Sequence, residues 1–153
     1  MATFRKFLPG FRAICLTIGI LDVLMAGSLF AKGLMVSMAE FRVPQPTLDS
    51  PHYHNAIEWV YTHMIVLGLV LIVLGLYGEG QRFRRWMARL LFVVHAYYTY
   101  LDFRYSDSAL GNGLYQGPAS VFPALFGLFA TLLFLRLVIW EDEPVEKRER
   151  VTA

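Results

Sequence analysis

Four long apolar stretches alternate with short polar segments along the chain. The stretches cover residues 13–31, 59–77, 86–103 and 119–140. Each is about as long as an α-helix must be to cross ~30 Å of hydrocarbon at ~1.5 Å per residue. Because backbone amides cannot stay unpaired in lipid, such stretches predict helices. The pattern therefore predicts an all-α protein, an antiparallel bundle of four transmembrane helices.

Polar segments set the predicted boundaries. We predict one membrane domain of residues 1–140, with helices at about 11–39, 57–78, 85–105 and 119–140. The segment FRVPQPTLDSPHYHN contains three prolines and predicts an extended loop. The short turn GEGQRFRR predicts that the second and third helices are antiparallel neighbours. The charged tail, residues 141–153, has a composition typical of disorder.

Composition supports a membrane protein. Of the 153 residues, 56% are hydrophobic and 17% charged, and the mean hydropathy is +0.47. A soluble domain of this size could not bury so much apolar surface. A cleaved signal peptide is an alternative for the first stretch, but that stretch is long for one and Asp22 interrupts it. The single cysteine, Cys15, excludes an internal disulfide.

The placement of basic residues predicts the orientation. Eleven of the 14 Lys and Arg residues precede the first helix, surround the turn between the second and third, or lie at or beyond the end of the fourth. Only Lys32, Arg42 and Arg104 lie on the other side. The positive-inside rule then places both termini in the cytoplasm. We expect a multi-pass protein of a bacterial cytoplasmic membrane, with the lipid bilayer as its partner and no nucleic acid.

Two polar residues fall near the middle of the predicted bilayer. Asp22 lies ten residues beyond Arg12, and His95 ten beyond Arg85, which places both ~15 Å deep. An ionised aspartate at that depth costs several kcal/mol, so it should face the bundle interior. Asp22 and His95 are natural partners if the first and third helices touch. Alternatively, a protonated Asp22 bonds to a Tyr or Thr and a neutral His95 is satisfied locally.

The third predicted helix carries a polar row at spacings of three and four, typical of one helix face. Its members are His95, Tyr98, Thr99, Asp102 and Ser106. The predicted intramembrane polar centre comprises Asp22, His63, His95, Tyr98, Thr99 and Asp102. Such a row lines a cavity, a proton path or a subunit contact, or it bonds helices together. Whether it faces the bundle interior or another subunit stays open.

A second polar group is predicted at the outer mouth. Its members are Lys32, Glu58, Asp102, Arg104 and Asp107. Because acids and bases occur together there, the group forms either a structural ion network or a polar vestibule above the membrane cavity.

Histidines raise the question of a metal or haem. His54 and Glu58, spaced i and i+4, could hold one metal ion if Asp102 or Asp107 completed the site. A bis-histidine haem would need His63 and His95, but their predicted heights differ by ~7 Å. No cofactor is assigned.

Three fragments resemble DoxX-type proteins, which are small four-helix membrane proteins. They are LTIGILDVLMAGSLFAKG, FRVPQP and HMIVLGLVLIVLGLYGEGQRFRRWMARLL, within about residues 12–95. The similarity lies in the proline-containing outer loop and the glycine-spaced second helix that ends in an arginine turn. Thr62 and His63 stand where such proteins often carry a glutamate. The resemblance implies a membrane-embedded accessory or redox-associated role and assigns no catalytic residue.

The sequence leaves three functions open. The first is a binding or accessory subunit whose outward-opening polar cavity takes a lipid-like or small hydrophobic ligand, or which docks a membrane partner, as a homo-oligomer or in a larger complex. The second is a membrane enzyme or redox protein that holds a metal, haem or quinone. The third is a proton-linked transporter that uses Asp22 and His95.

Overall fold

The computed structural model describes residues 9–41, 43–105 and 122–140, which form helices with short connections. The helices are α1 (Phe11–Lys32), α2 (Leu34–Glu40), α3 (Gln45–Leu48), α4 (Pro51–Tyr77), α5 (Gln81–Tyr105) and α6 (Phe122–Trp140). The described residues contain no strand. The all-α prediction is therefore confirmed for them.

Among the described residues, two helices, α1 and α4, are long and apolar enough to cross a membrane. Only 33% of the apolar window of α1 and 22% of that of α4 are buried, whereas the core helix of a soluble protein is mostly buried. Helix α6 contains a shorter apolar stretch, Pro123–Ile139. Helix α5 contains six charged residues, which lower its hydropathy.

The observed boundaries differ from the predicted ones where proline and glycine occur. The prediction of an extended loop is wrong in part, because α3 forms within that segment and α4 begins at Pro51 rather than near 57. Proline suits the first turn of a helix, where its missing N–H has no partner to lose. The predicted helix 11–39 is broken at Gly33, whose φ of 95° is strained for other residues. Helix α5 begins at Gln81, four residues earlier than predicted.

The long helices form two antiparallel pairs. Helix α1 packs along α4, α5 packs along α6, and α6 also contacts α1. The prediction that the second and third helices are neighbours is wrong, since α4 and α5 do not pack along their lengths. The turn that joins them brings their ends together, but side-chain packing selects other partners.

Glycines bring α1 and α4 close together. A Cβ atom added at Gly19 would lie 2.6 Å from the carbonyl oxygen of Gly68, and one added at Gly68 would lie 2.7 Å from that of Gly19. Seven residues further along α4, a Cβ at Gly75 would lie 2.8 Å from Cγ of Leu16. Small residues at such a crossing allow the two backbones to approach closely, which brings more atoms into dispersion contact.

Two apolar clusters fill the interior. The first, called the shared core, draws on α1, α4, α5 and α6: Phe11, Ile14, Cys15, Ile18, Leu71, Ala88, Leu91, Ala130, Phe134 and Leu137. The second cluster contains Ala26, Met38, Val43, Leu48, Tyr53, Ile57 and Tyr61. Its buried members come from α1 to α4 and the α2–α3 connection, and none comes from α5 or α6. The shared core thus joins the two helix pairs at one end of the bundle.

That end is called the basic end, and it contains the start of α1, the turn at 78–80 and the start of α5. The Arg84 Nε–H donates to the carbonyl of Gly78 at 2.8 Å, and its guanidinium lies 6.0 Å from the centroid of the Phe11 ring. Gly80 has a φ of 81° and turns the chain into α5. Arg84 therefore binds the residue that caps the C-terminus of α4 and helps to hold the turn between α4 and α5.

Candidate functional site

Asp22 lies inside the crossing of α1 and α4. It is one turn beyond Ile18 of the shared core and is only 5% exposed. Its Cβ would lie 3.0 Å from a Cβ added at Gly68, so the glycine leaves room for the aspartate. No hydrogen bond or ion pair reaches its carboxyl group from the described residues. Burying a carboxyl group without a hydrogen-bond partner costs free energy, so Asp22 is the first candidate for a ligand-binding residue.

His95 lies on α5, one turn beyond Leu91 of the shared core, and is 6% exposed. Its Nδ1–H donates to the carbonyl of Leu91 at 2.8 Å. Its ring packs on that of Phe134 of α6, with the centroids 4.7 Å apart and the planes tilted by 40°. Since Nδ1 carries the proton in this bond, a neutral His95 keeps Nε2 as an acceptor.

The polar row of α5 continues against α6. The hydroxyl groups of Thr99 and Thr131, both buried, are hydrogen-bonded at 2.9 Å. A Cβ added at Gly127 would lie 2.9 Å from Oγ1 of Thr99 and 3.3 Å from Oδ2 of Asp102. Thus His95, Thr99 and Asp102 lie along the seam between α5 and α6, where part of the row bonds the two helices together.

Replacing Thr99 or Thr131 with valine is expected to weaken this pairing, because each change leaves the other hydroxyl group buried without its partner. We expect each single substitution to cost about 0.6–1.7 kcal/mol and the double substitution to cost less than the two together. A double-mutant cycle on unfolding in mixed micelles measures the coupling. Thr62→Val, at an exposed position of α4, is the control. Additive effects of the two changes would contradict the pairing.

Tyr98 does not share the burial of this row. It is 48% exposed, whereas its neighbour Thr99 is buried. Ser106, the last member of the predicted row, lies outside the described residues, as does Asp107. The row that the structure places against α6 is therefore shorter than the sequence pattern.

Asp22 and His95 are not hydrogen-bonded to each other. Asp22 lies against α4, and His95 is held by Leu91 and Phe134. A direct bond between Asp22 and His95 requires α1 to pack on α5. Helix α1 packs on α4 and α6 instead. The two side chains lie one turn beyond the same apolar core, on different helix pairs.

Two side chains predicted at the outer mouth, Lys32 and Arg104, have partners outside that predicted group. Lys32 pairs with Glu40 of α2, with Nζ 2.5 Å from Oε2. Glu58 is exposed and forms no ion pair with Lys32. Arg104 donates from Nη1 to the hydroxyl group of Tyr100 at 2.7 Å. Exposed pairs such as Lys32–Glu40 contribute little to stability.

Two of the three histidines of α4 are hydrogen-bonded to nearby backbone carbonyl groups. Nε2 of His54 is hydrogen-bonded to the carbonyl of Leu48, and Nδ1 of His63 to that of Trp59 at 2.7 Å. The ring of His63 stacks on that of Trp59, with the centroids 4.9 Å apart. Exposed His63 thus lies away from the buried polar residues. Within residues 9–41, 43–105 and 122–140, no three His, Cys, Asp or Glu side chains come together as a metal site.

Sequence reasoning missed the partners that the tertiary structure supplies. Thr131 and Phe134 of α6 are the partners of Thr99 and His95. Glu40 is the partner of Lys32. A signal existed for Thr131, which is the only hydroxyl side chain in α6. Gly68 and Gly75, seven residues apart on one face of α4, also marked the crossing.

Two shallow depressions on the described surface are not lined by Asp22 or His95. One is lined by apolar side chains of α4, and the other by residues at the start of α5, four of them polar or charged and one a tryptophan.

Comparison with known proteins gives no match: no protein-family model, no curated protein and no solved structure matches the chain. The resemblance to DoxX-type proteins therefore stays a prediction.

Proposed function

We propose that the chain is a small polytopic membrane protein in which α1, α4, α5 and α6 all cross the bilayer and both termini are cytoplasmic. Exposed apolar side chains on all four helices support this proposal, such as Leu24, Val66, Val93 and Leu132. Soluble proteins rarely expose so much contiguous apolar surface. The basic end then lies at the cytoplasmic face, in keeping with the positive-inside rule.

Cysteine labelling tests this topology. A membrane-impermeant maleimide added to intact cells is expected to label a cysteine at position 49, between α3 and α4, and to leave one at position 79 unlabelled until the membrane is opened. Asp49 and Glu79 are both exposed. The native protein is the control, because Cys15 is completely buried. Labelling of Glu79→Cys from outside would overturn the orientation.

We further propose that this membrane domain acts as a binding or accessory subunit, for a lipid-like or small ligand or for a membrane partner. The observation that carries the proposal is where the shared core ends. Its residues join the two helix pairs at the basic end, and among the described residues the second cluster contains no buried side chain of α5 or α6. Asp22 and His95 lie directly beyond the shared core, so the proposed site lies between the pairs.

The chemistry of these two groups indicates what the site binds. The Asp22 carboxyl group accepts or donates a hydrogen bond according to its protonation, and Nε2 of a neutral His95 accepts one. A ligand that satisfies them carries a hydroxyl, amine or amide group on an apolar body, because the walls are helices made mostly of apolar side chains. The resemblance to DoxX-type proteins is in keeping with an accessory role.

Native mass spectrometry of the full chain, released from membranes in mild detergent, tests this function. We expect a bound lipid, small molecule or partner with the native protein. We expect the bound species to be reduced with Asp22→Asn and His95→Gln, because the polar groups that hold it are altered. Ser28→Ala is the control, since Ser28 is exposed on α1 and bonds only within that helix. An empty monomer, or retention unaffected by both site variants, would count against the proposal.

A further inference from the structure

A basic face lies on the outward side of the first turns of α5. Arg82, Arg85 and Arg89 are spaced by three and four residues, and Trp86 lies among them. With Gln81 they line a depression of about 410 Å³. This set of five residues is called the arginine face. Three of its five residues are cationic and none is acidic, and Arg85 and Arg89 also have other interactions within the protein.

Helical geometry separates this face from the shared core. Ala88, Leu91 and His95 are buried on a different side of α5. Arg84 belongs to neither set, because it is bound to the carbonyl of Gly78. The guanidinium carbon of Arg89 lies 5.3 Å from the centroid of the Trp86 ring, at cation–π distance. This contact helps to orient Arg89 within the face.

The arginine face continues directly into an apolar surface. Leu90 and Val93, next to and one turn beyond Arg89, are 54% and 61% exposed. A molecule lying along α5 would therefore meet guanidinium groups at one end and hydrocarbon at the other. A soluble phosphate compound would use only the first of these surfaces, whereas a phospholipid would use both.

The chemistry of the side chains selects a negatively charged headgroup. Each guanidinium presents N–H donors in a planar fork that matches two phosphate oxygens. Tryptophan prefers the headgroup level of a bilayer, where its ring is apolar and its N–H finds a partner. Basic clusters next to the cytoplasmic ends of transmembrane helices attract anionic lipids.

We propose that the arginine face binds an anionic phospholipid, with the lipid phosphate on Arg82, Arg85 and Arg89 and an acyl chain along Leu90 and Val93. This inference uses the proposed topology, in which the start of α5 lies at the cytoplasmic surface. It concerns a site separate from that of Asp22, on the outer side of the bundle.

Lipid competition on the full-length protein tests the proposal. Native mass spectrometry counts the lipids retained from mixed micelles of phosphatidylglycerol and phosphatidylcholine. We expect the native protein to prefer phosphatidylglycerol and R82Q/R85Q/R89Q to lose about tenfold or more of that preference. R82K/R85K/R89K is expected to keep most of the preference, because it keeps the charges. R104Q, at the other end of α5, is the matched control and is expected to behave like the native protein.

Additional variants and a displacement measurement cover the remaining outcomes. If the triple glutamine variant does not fold, R89Q and Trp86→Ala are measured instead, and an unchanged preference in both would overturn the proposal. Displacement of phosphatidylglycerol by inorganic phosphate would assign the face to a soluble phosphate and also overturn it. Micelles report on the site whatever the orientation in cells, so labelling of Glu79→Cys from outside would refute the topology while leaving the lipid preference measurable.

Discussion

Replacing Leu24 with aspartate is expected to prevent most of the protein from inserting stably into membranes. Leu24 is 63% exposed near the middle of α1 and, in the proposed arrangement, faces acyl chains. A charged side chain near the centre of a membrane helix costs about 2.5–3.5 kcal/mol on insertion scales. The fraction that resists carbonate extraction measures the effect. Native Asp22, two residues away, is buried against α4 and differs from Leu24 in not being exposed on the helix surface.

The same substitution separates a membrane helix from a soluble one. On the surface of a soluble protein, aspartate at so exposed a position would change stability by only about 0.5 kcal/mol or less. Leu24→Ala controls for the loss of the side chain, and we expect it to insert normally. If Leu24→Asp inserted and unfolded like the alanine variant, α1 would not face lipid and the four-span proposal would fail.

Adding a single methyl group at Gly19 or Gly68 is expected to destabilise the bundle strongly. The new Cβ would lie 2.6 or 2.7 Å from a backbone carbonyl oxygen of the facing helix, and backbone cannot rotate away as a side chain can. Overpacking of this kind costs about 1–3 kcal/mol, and here α1 and α4 must separate to relieve it. Unfolding of the purified protein in mixed micelles measures the loss.

Gly27→Ala is the matched control on the same helix. Nothing lies within 4 Å of a Cβ added at Gly27, so alanine there is expected to be neutral or slightly stabilising through its better helix propensity. Equal stability of the Gly19, Gly68 and Gly27 variants would contradict the close crossing of α1 and α4.

Local sequence predicted the helices well where apolar stretches are long, and less well at their ends. The stretch after Trp59 predicted the apolar part of α4, but the proline-rich segment before it was predicted to be extended and α4 begins at Pro51. Proline stops a helix only from inside it, and at the first turn it is favourable. Whether a proline ends a helix or favours its first turn depends on where the helix starts. The proline-rich segment alone does not specify that position.

The sequence likewise predicted only part of the candidate site. The cost of charge in hydrocarbon predicted that Asp22 and His95 face inward, and both are buried. Depth along the helices did not predict their neighbours, since Asp22 lies against Gly68 and His95 against Phe134. Depth gives only the position of a residue along its helix. Which side chains it contacts also depends on which helices are adjacent.

The sequence by itself determined the helical class, the apolar windows of α1 and α4, and the positions of the polar residues within the apolar stretches, because these follow from local hydrophobicity and spacing. Only the tertiary structure decided that α1 pairs with α4 and α5 with α6. Pairing depends on how closely two surfaces fit, as at Gly19 and Gly68 or at Thr99 and Thr131. That fit is a property of two segments distant in sequence, so neither segment contains it alone.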